Sequence, residues 1–152
     1  GKGIVAGDQV SVKPGDIVEY TIYFLSDSAG TKDAATVNIC DRIPANSTFI
    51  PTSFNGASPT DGGLSGTDQG IALALGSATP TVYLTDVNDA PDRGQHFPVN
   101  DPATPPSCNG NPNGAVVVNV TRNPDLPNLP RSTGSGTPSN SYGFIRFRVR
   151  VN

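Results

Sequence analysis

Ile17-Val18-Glu19-Tyr20-Thr21-Ile22-Tyr23-Phe24-Leu25 is a run of mostly aliphatic and aromatic residues that directly follows Pro14-Gly15-Asp16. Successive side chains of a β-strand point to opposite faces of the sheet, so a strand here would have two distinct faces. The even-numbered face carries no charge, and we expect it to pack on the core: Val18, Tyr20, Ile22 and Phe24. Proline fixes its own φ and glycine turns freely, so the preceding triplet predicts a tight turn into this strand.

Short apolar runs of the same kind recur along the chain, and none has a sustained helical period. They predict strands near residues 9–13, 34–43, 48–54, 71–75, 81–84, 115–120 and 142–151. About 7–9 strands at irregular spacing with no helix are typical of a β-sandwich of the immunoglobulin-like kind. We therefore predict an all-β fold.

Long polar stretches separate these runs. The chain has 152 residues, of which 17 are Gly and 15 are Pro, and its hydrophobic fraction is 35%. Such composition approaches that of disordered sequence, but the apolar residues are clustered into strands as in a folded domain. We expect one domain over residues 1–152, with Pro/Gly/Asn-rich loop insertions near residues 57–70, 85–114 and 123–141.

The charge balance argues against a nucleic-acid partner, and the lack of long apolar runs argues against a membrane span. The net charge is −3 and the pI is near 4.8, whereas a nucleic-acid partner requires a basic surface. Arg146, Arg148 and Arg150 are spaced two apart, so we expect them to form one solvated row on the outer face of a strand. No apolar run is long enough to span a membrane.

The chain also has no Met, and we expect it to be a processed product or an excised part of a longer protein.

Cys40 and Cys108 are the two cysteines of the chain. They have no Cys-x-x-Cys spacing and there is one His, so they do not resemble a zinc site. A disulfide between them would stabilise a loop-rich domain by roughly 4 kcal/mol and indicates an oxidising compartment. Two buried free thiols are the alternative, which the turn-like sequence around Cys108 disfavours.

Candidate catalytic and metal-binding residues are few. His96 lies in a polar stretch without a nucleophile motif such as Gly-x-Ser-x-Gly, so we interpret it as a surface loop residue and predict no enzyme activity. Oxygen-bearing side chains recur between residues 86 and 92, where they would suit a hard cation such as Ca²⁺: Asp86, Asn88, Asp89 and Asp92. This segment lacks the glycine and the terminal glutamate of an EF-hand, and a solvated turn is the alternative. We expect no other cofactor.

Three stretches carry a family resemblance. Residues 12–22, with the Pro-Gly-Asp turn and the Tyr-Thr-Ile strand, and residues 37–49 resemble the opening of the domain-of-unknown-function eleven repeat family. Residues 143–151 resemble the closing strand of that family. The resemblance implies an immunoglobulin-like sandwich in a bacterial or archaeal surface protein, often repeated in tandem, with cyanobacterial-like members. It implies no catalytic residues.

Repeats of that family begin with a full strand ahead of the turn, whereas glycines at positions 1, 3 and 7 interrupt the corresponding segment here. A short first strand leaves backbone groups unpaired, and such an edge accepts a strand from another molecule. We therefore predict an assembly edge at the residues that precede the turn: Gln9, Val10, Ser11 and Val12.

These observations favour a non-catalytic structural or adhesive domain of a secreted or cell-surface protein. We expect its partners to be copies of itself or tandem sister domains, with a self-assembling filament joined by β-strand addition as the specific hypothesis. Two alternatives stay open. One is a glycan- or ligand-binding module that acts through the 85–114 loop, and the other is an accessory domain of a surface enzyme.

Overall fold

The computed structural model of the chain describes residues 11–61, 68–89, 91–108, 110, 112–122 and 126–152. Within these ranges it is built from ten strands and two short 3-10 helices, which confirms the predicted all-β class. The strands are β1 (Ile17–Leu25), β2 (Ala34–Ala35), β3 (Asn38–Arg42), β4 (Ser47–Phe49), β5 (Gln69–Leu75), β6 (Val82–Thr85), β7 (Gly94–Phe97), β8 (Ala115–Asn119), β9 (Asn128–Leu129) and β10 (Tyr142–Val151). The 3-10 helices span Pro106–Cys108 and Ser139–Ser141. No helix in the described ranges is long and apolar enough to cross a membrane.

Strand β10 is the centre of the main sheet, in which the strands follow the order β1-β10-β5-β6. It pairs antiparallel with the whole length of β1, from Ile17 opposite Arg150 to Leu25 opposite Tyr142. On its other side β10 pairs first with β5 and then, near its end, with β4. A long strand rich in β-branched and aromatic residues suits this central position, because its inward side chains are covered by neighbours on both sides.

The second sheet has the order β3-β8-β7, and β2 and β9 form a separate two-stranded ribbon. Val116 and Val118 of β8 point from this sheet into the same core cluster as Ile145 and Phe147 of β10. The remaining buried members of that cluster are Ile43, Phe49, Ile71, Leu73, Leu84 and Val149. Two antiparallel sheets that share one apolar core are consistent with the predicted sandwich.

The predicted core-facing residues of β1 pack against this cluster, as the alternation indicated: Val18, Tyr20, Ile22 and Phe24. Within β10, alternation likewise places the arginine row on the outer face of the main sheet, opposite the buried Phe147 and Val149.

Several predicted strand boundaries are wrong for reasons that lie in the backbone. The stretch 34–43 is divided between β2 and β3, because Thr36 between them has φ 53°, in the left-handed region that interrupts a strand. The strand predicted over 48–54 ends at Phe49 and is followed by turns at 51–56, which include Gly56 with φ 81°. Residues 11–13 of the strand predicted over 9–13 form no strand, and residues 9 and 10 lie outside the described residues.

Two of the predicted loop insertions contain secondary structure. Residues 85–114 include β7 and the 3-10 helix at Pro106–Cys108, and residues 123–141 include β9 and the 3-10 helix at Ser139–Ser141. Sequence pattern does not reveal β7, because Gly94-Gln95-His96-Phe97 has low intrinsic strand propensity. Pairing with β8, from Gly94 opposite Val118 to Phe97 opposite Ala115, supplies the ordering that propensity lacks.

Candidate functional site

Among the described residues β1 pairs with β10 on one side and with no strand on the other. This unpaired side is the longest free strand edge among the described residues. Two backbone bonds fix the phase of this ladder: Val151 N–H donates to the Asp16 carbonyl over 2.9 Å, and Ser26 N–H donates to the Ser141 carbonyl over 2.8 Å. In an antiparallel pair, alternate residues bond to the partner and the intervening ones point away. The even-numbered residues of β1 therefore bond to β10, and the odd-numbered ones direct their N–H and C=O groups to the open side.

The outer face of β1 exposes apolar side chains beside this edge. Tyr23 is 75% exposed, Leu25 is 61% exposed and Ile17 is 56% exposed. The Tyr23 ring also contacts the ring of Phe144 edge-on, with the centroids 5.7 Å apart. Tyr23 and Leu25 are neighbours on this face and form one exposed apolar patch, while Ile17 lies apart at the other end of the strand.

The middle of the same face carries a small ion-pair cluster. The Glu19 carboxylate contacts Arg146 Nε at 3.2 Å through one oxygen and Arg148 Nε at 2.9 Å through the other. The Arg148 guanidinium also lies 4.9 Å from the centre of the Phe54 ring, and its Nη1 donates to the Ser53 carbonyl. One carboxylate shared by two guanidinium groups leaves the outer face of β1 and β10 locally positive.

The inner face of β1 is only partly covered, although its side chains point toward the core. Val18, Tyr20, Ile22 and Phe24 are all partly exposed, whereas Ile145 and Phe147, directly opposite on β10, are fully buried. Tyr20 stacks on Phe147 with ring centroids 5.5 Å apart. A further strand beside β1 would extend the sheet where this apolar layer ends.

Of the residues predicted to form an assembly edge, only Ser11 and Val12 are among the described residues. Gln9 and Val10 are outside the described residues, and Ser11 and Val12 form no strand, so the sheet edge among the described residues is β1. Val12 is 54% exposed. The chain then turns at residues 13–16, where Asp16 N–H donates to the Lys13 carbonyl over 3.0 Å and Gly15 adopts φ 93°. This is the turn that the Pro-Gly-Asp triplet predicted.

Asp92, one of the candidate calcium ligands, is buried and is bonded to the backbone. Asp92 is 4% exposed, and its two carboxylate oxygens accept hydrogen bonds from the backbone N–H groups of Thr85, at 2.7 Å, and Gly94, at 2.6 Å. Burial raises the pKa of the Asp92 carboxyl above its usual value, and the two backbone donors oppose that shift. Within the described ranges no three His, Cys, Asp or Glu side chains form a group that could hold a metal ion. Asp92 thus closes the turn between β6 and β7.

A buried ion pair lies next to Asp92, and local sequence pattern does not reveal it because the partners are 32 residues apart. Arg93 Nε contacts an Asp61 oxygen at 2.8 Å, with the two side chains 9% and 5% exposed. Arg93 Nη1 also donates to the Val120 carbonyl, and Arg122 Nη1 lies 3.3 Å from Asp61. Since buried charges require partners, this cluster ties the segment before residue 62 to the ends of β7 and β8.

His96 is not the surface loop residue that the sequence predicted. It lies in β7, is half-buried and stacks on Phe49 with ring centroids 4.4 Å apart. Burial lowers the pKa of the His96 imidazole below its usual value, and the nearby Asp86 carboxylate opposes this effect. The stacking of His96 on a ring of the core is consistent with a packing role for this residue.

The predicted disulfide is confirmed: Cys40 of β3 is bonded to Cys108 of the first 3-10 helix, with their Cα atoms 5.6 Å apart. Cys108 and Phe97 are buried on the outer face of the second sheet, against Ala115 and Val117. Phe97 is 5% exposed, so its ring is covered and offers no stacking platform for a sugar. The bridge therefore anchors part of the 85–114 segment onto the sheet.

Comparison of the chain with protein-family models, with curated proteins and with solved structures finds no match. The resemblance to the repeat family accordingly stays a prediction.

Proposed function

We propose that this chain is a non-catalytic structural or adhesive module of a secreted or cell-surface protein, and that it joins to further copies by β-strand addition along β1. The observation that carries the proposal is the open side of β1. Backbone hydrogen bonds supply affinity in strand addition, and the side chains of the added strand supply specificity.

The length and the faces of β1 support this assignment. Natural proteins usually protect a sheet edge by shortening it or by placing charges or proline along it. β1 has nine residues, contains no proline, and carries one charged side chain, Glu19, which is engaged by arginines of the neighbouring strand. An incoming strand would also extend the apolar inner layer beyond Tyr20 and Ile22.

The donor in this proposal is the segment of another copy that contains Gln9, Val10, Ser11 and Val12. Ser11 and Val12 are exposed and occupy no strand of their own molecule. A segment that belongs to no strand of its own molecule is available to pair with the sheet edge of another copy.

The remaining chemistry is consistent with a structural role. The disulfide fits an extracytoplasmic location, because such bonds persist in oxidising compartments. The single His packs on Phe49, and the buried Asp92 and Asp61 carboxylates are engaged by backbone amides and by arginine. The burial of Phe97 disfavours the alternative of a glycan site on the 85–114 segment.

The open edge can be tested by proline at an odd-numbered position. Thr21→Pro removes the backbone N–H of residue 21, which points away from β10. The β1–β10 ladder therefore keeps its hydrogen bonds, while the open side of β1 loses one donor. Thr21→Val is the matched control, since it keeps the N–H and loses the same side-chain contact to Arg146 Nε.

Size-exclusion chromatography and electron microscopy over a concentration series would report assembly. We expect Thr21→Pro to weaken assembly about tenfold or more, which corresponds to roughly one backbone hydrogen bond, and Thr21→Val to assemble like the unchanged protein. Thermal unfolding of both variants checks that they fold. A chain that stays monomeric at every concentration, or equal assembly by the two variants, contradicts the proposal.

A further inference from the structure

The sequence contains two Asn-x-Thr triplets, Asn46-Ser47-Thr48 and Asn119-Val120-Thr121. This triplet is the acceptor sequence for N-linked glycans in exported proteins. The hydroxyl at the third position and an accessible amide at the first are both needed, so the surroundings of each Asn decide whether it can be modified.

Asn46 lies where the triplet is accessible. It occupies the turn that joins β3 of the second sheet to β4 of the main sheet, it is exposed, and its φ of 58° is in the left-handed region that Asn tolerates. Ser47 Oγ donates to the Pro44 carbonyl over 2.7 Å and holds the turn. Thr48, also exposed, presents its Oγ1 at the surface, where it donates to Asn152 Oδ1 over 2.9 Å.

The triplet at Asn119 is less accessible than the one at Asn46. It ends β8, the central strand of the second sheet, and pairs directly with Asn38 of β3. It is only partly exposed, and its own N–H donates to the Arg93 carbonyl over 3.0 Å. Thr121 Oγ1 accepts a hydrogen bond from Val37 N–H over 2.8 Å. Both ends of this triplet are thus held within the sheet.

We propose that Asn46 is an N-glycosylation site and that Asn119 is not. The donor is an oligosaccharide linked to a lipid phosphate. Nδ2 of Asn46 attacks the anomeric carbon, the C–N bond forms as the bond from that carbon to the phosphate oxygen breaks, the lipid phosphate leaves with the electron pair, and the amide loses one proton to a base of the transferase. No oxidant or reductant is required. The inference rests on the extracytoplasmic location in the proposed function.

The position of Asn46 gives this glycan a structural consequence. Val149 of β10 pairs with Val18 of β1 on one side and with Phe49 of β4 on the other, so β4 lies opposite β1 across the central strand. Among the described residues β4 pairs only with β10. A bulky polar chain at the start of β4 would shield the free side of this short strand and leave β1 accessible.

Glycopeptide mass spectrometry of the protein isolated from its source tests the site, with Asn46→Asp, Thr48→Val and Asn119→Asp produced in the same cells. Aspartate also tolerates a left-handed backbone, and valine keeps the branched shape of Thr48 without its hydroxyl. We expect glycan at Asn46, complete loss of the glycan mass in Asn46→Asp and in Thr48→Val, and no loss in Asn119→Asp.

An unmodified Asn46, or glycan at Asn119 instead, overturns the inference. Cell fractionation of the same culture separates this result from failure of the proposed function. Exported protein with an oxidised Cys40–Cys108 pair and a bare Asn46 contradicts only the glycosylation. Protein retained in the cytoplasm contradicts the proposed location, and the inference with it.

Discussion

The imidazole of His96 stacks on the ring of Phe49 at 4.4 Å between centroids and 20° between planes. Phe49 belongs to β4 of the main sheet and His96 to β7 of the second sheet. The pair therefore links the two layers of the sandwich. Because the contact buries an ionisable ring in apolar surroundings, it couples the stability of the fold to pH.

Acid should weaken the fold through His96. Burial lowers the pKa of this imidazole below the usual value of 6.5, so the unfolded chain takes up a proton at higher pH than the folded chain does. The difference in proton uptake makes a contribution of His96 to the free energy of unfolding that depends on pH. This contribution is fully present above about pH 6.5 and is lost as the pH falls below that value. His96→Phe keeps the ring and removes the titration. Urea unfolding at about pH 5 and pH 7.5 should show a smaller decrease for His96→Phe than for the unchanged protein, and equal decreases would contradict this role.

Replacing Asp92 should destabilise the turn between β6 and β7. In Asp92→Asn one oxygen is replaced by an NH₂ group, which faces a backbone N–H of Thr85 or Gly94 and leaves a buried donor without an acceptor. We expect a loss of about 1–3 kcal/mol. Asp27→Asn is the control, because Asp27 accepts from Ala29 N–H in an exposed turn, where water can replace the bond. Similar urea midpoints for both variants would show that the burial of Asp92 is unimportant.

Removal of the disulfide should lower the free energy of unfolding by about 4 kcal/mol, the chain-entropy value for a bridge across a sequence separation of 68 residues. The double variant Cys40→Ala/Cys108→Ala avoids a leftover thiol. Guanidinium unfolding of this variant and of the unchanged protein, each with and without reductant, measures the loss. Reductant should affect only the unchanged protein, and a loss below about 1 kcal/mol would mean that the sheet holds the 85–114 segment without the bridge.

Loss of the buried Arg93–Asp61 ion pair should destabilise the fold far more than loss of the exposed Arg148–Glu19 ion pair. Arg93→Met removes one of the two arginines that contact the Asp61 carboxylate among the described residues, where this carboxylate is 5% exposed, and we expect a loss of about 3–5 kcal/mol. Arg148→Met breaks an ion pair whose side chains are 39% and 35% exposed, and we expect a loss of at most about 1 kcal/mol. Thermal and urea unfolding of the two variants side by side measures the contrast. Equal losses would contradict a structural role for the cluster.

The assignment of strands followed closely from local pattern where the pattern was long. β1 begins and ends at Ile17 and Leu25, the two ends of the alternating run, and its inward face is the one predicted. Local sequence pattern did not predict the strands correctly where strand formation depends on pairing or on the backbone conformation of a single residue. β7 has weak propensity and forms on β8, and the run at 34–43 is divided because Thr36 leaves the extended region.

For the candidate site, the sequence predicted strand addition at residues 9–12, of which residues 11 and 12 form no strand and residues 9 and 10 lie outside the described residues. Position in a sheet is set by which strand pairs with which, and among the described residues β1 lies at an edge because β10, more than a hundred residues later, takes the central place. Local alternation reports which face of a strand is apolar but not how many neighbours the strand has.

The sequence by itself determined the all-β class, the inward face of β1, the turn at Pro14-Gly15 and the disulfide, because each depends on residue types at short spacing or on the only two cysteines. Tertiary structure alone decided which side of β1 has no partner strand among the described residues, the burial of the Arg93–Asp61 pair and the stacking of His96 on Phe49. Those features join residues that are distant in the chain, and their formation depends on the packing of the whole sandwich rather than on any local preference.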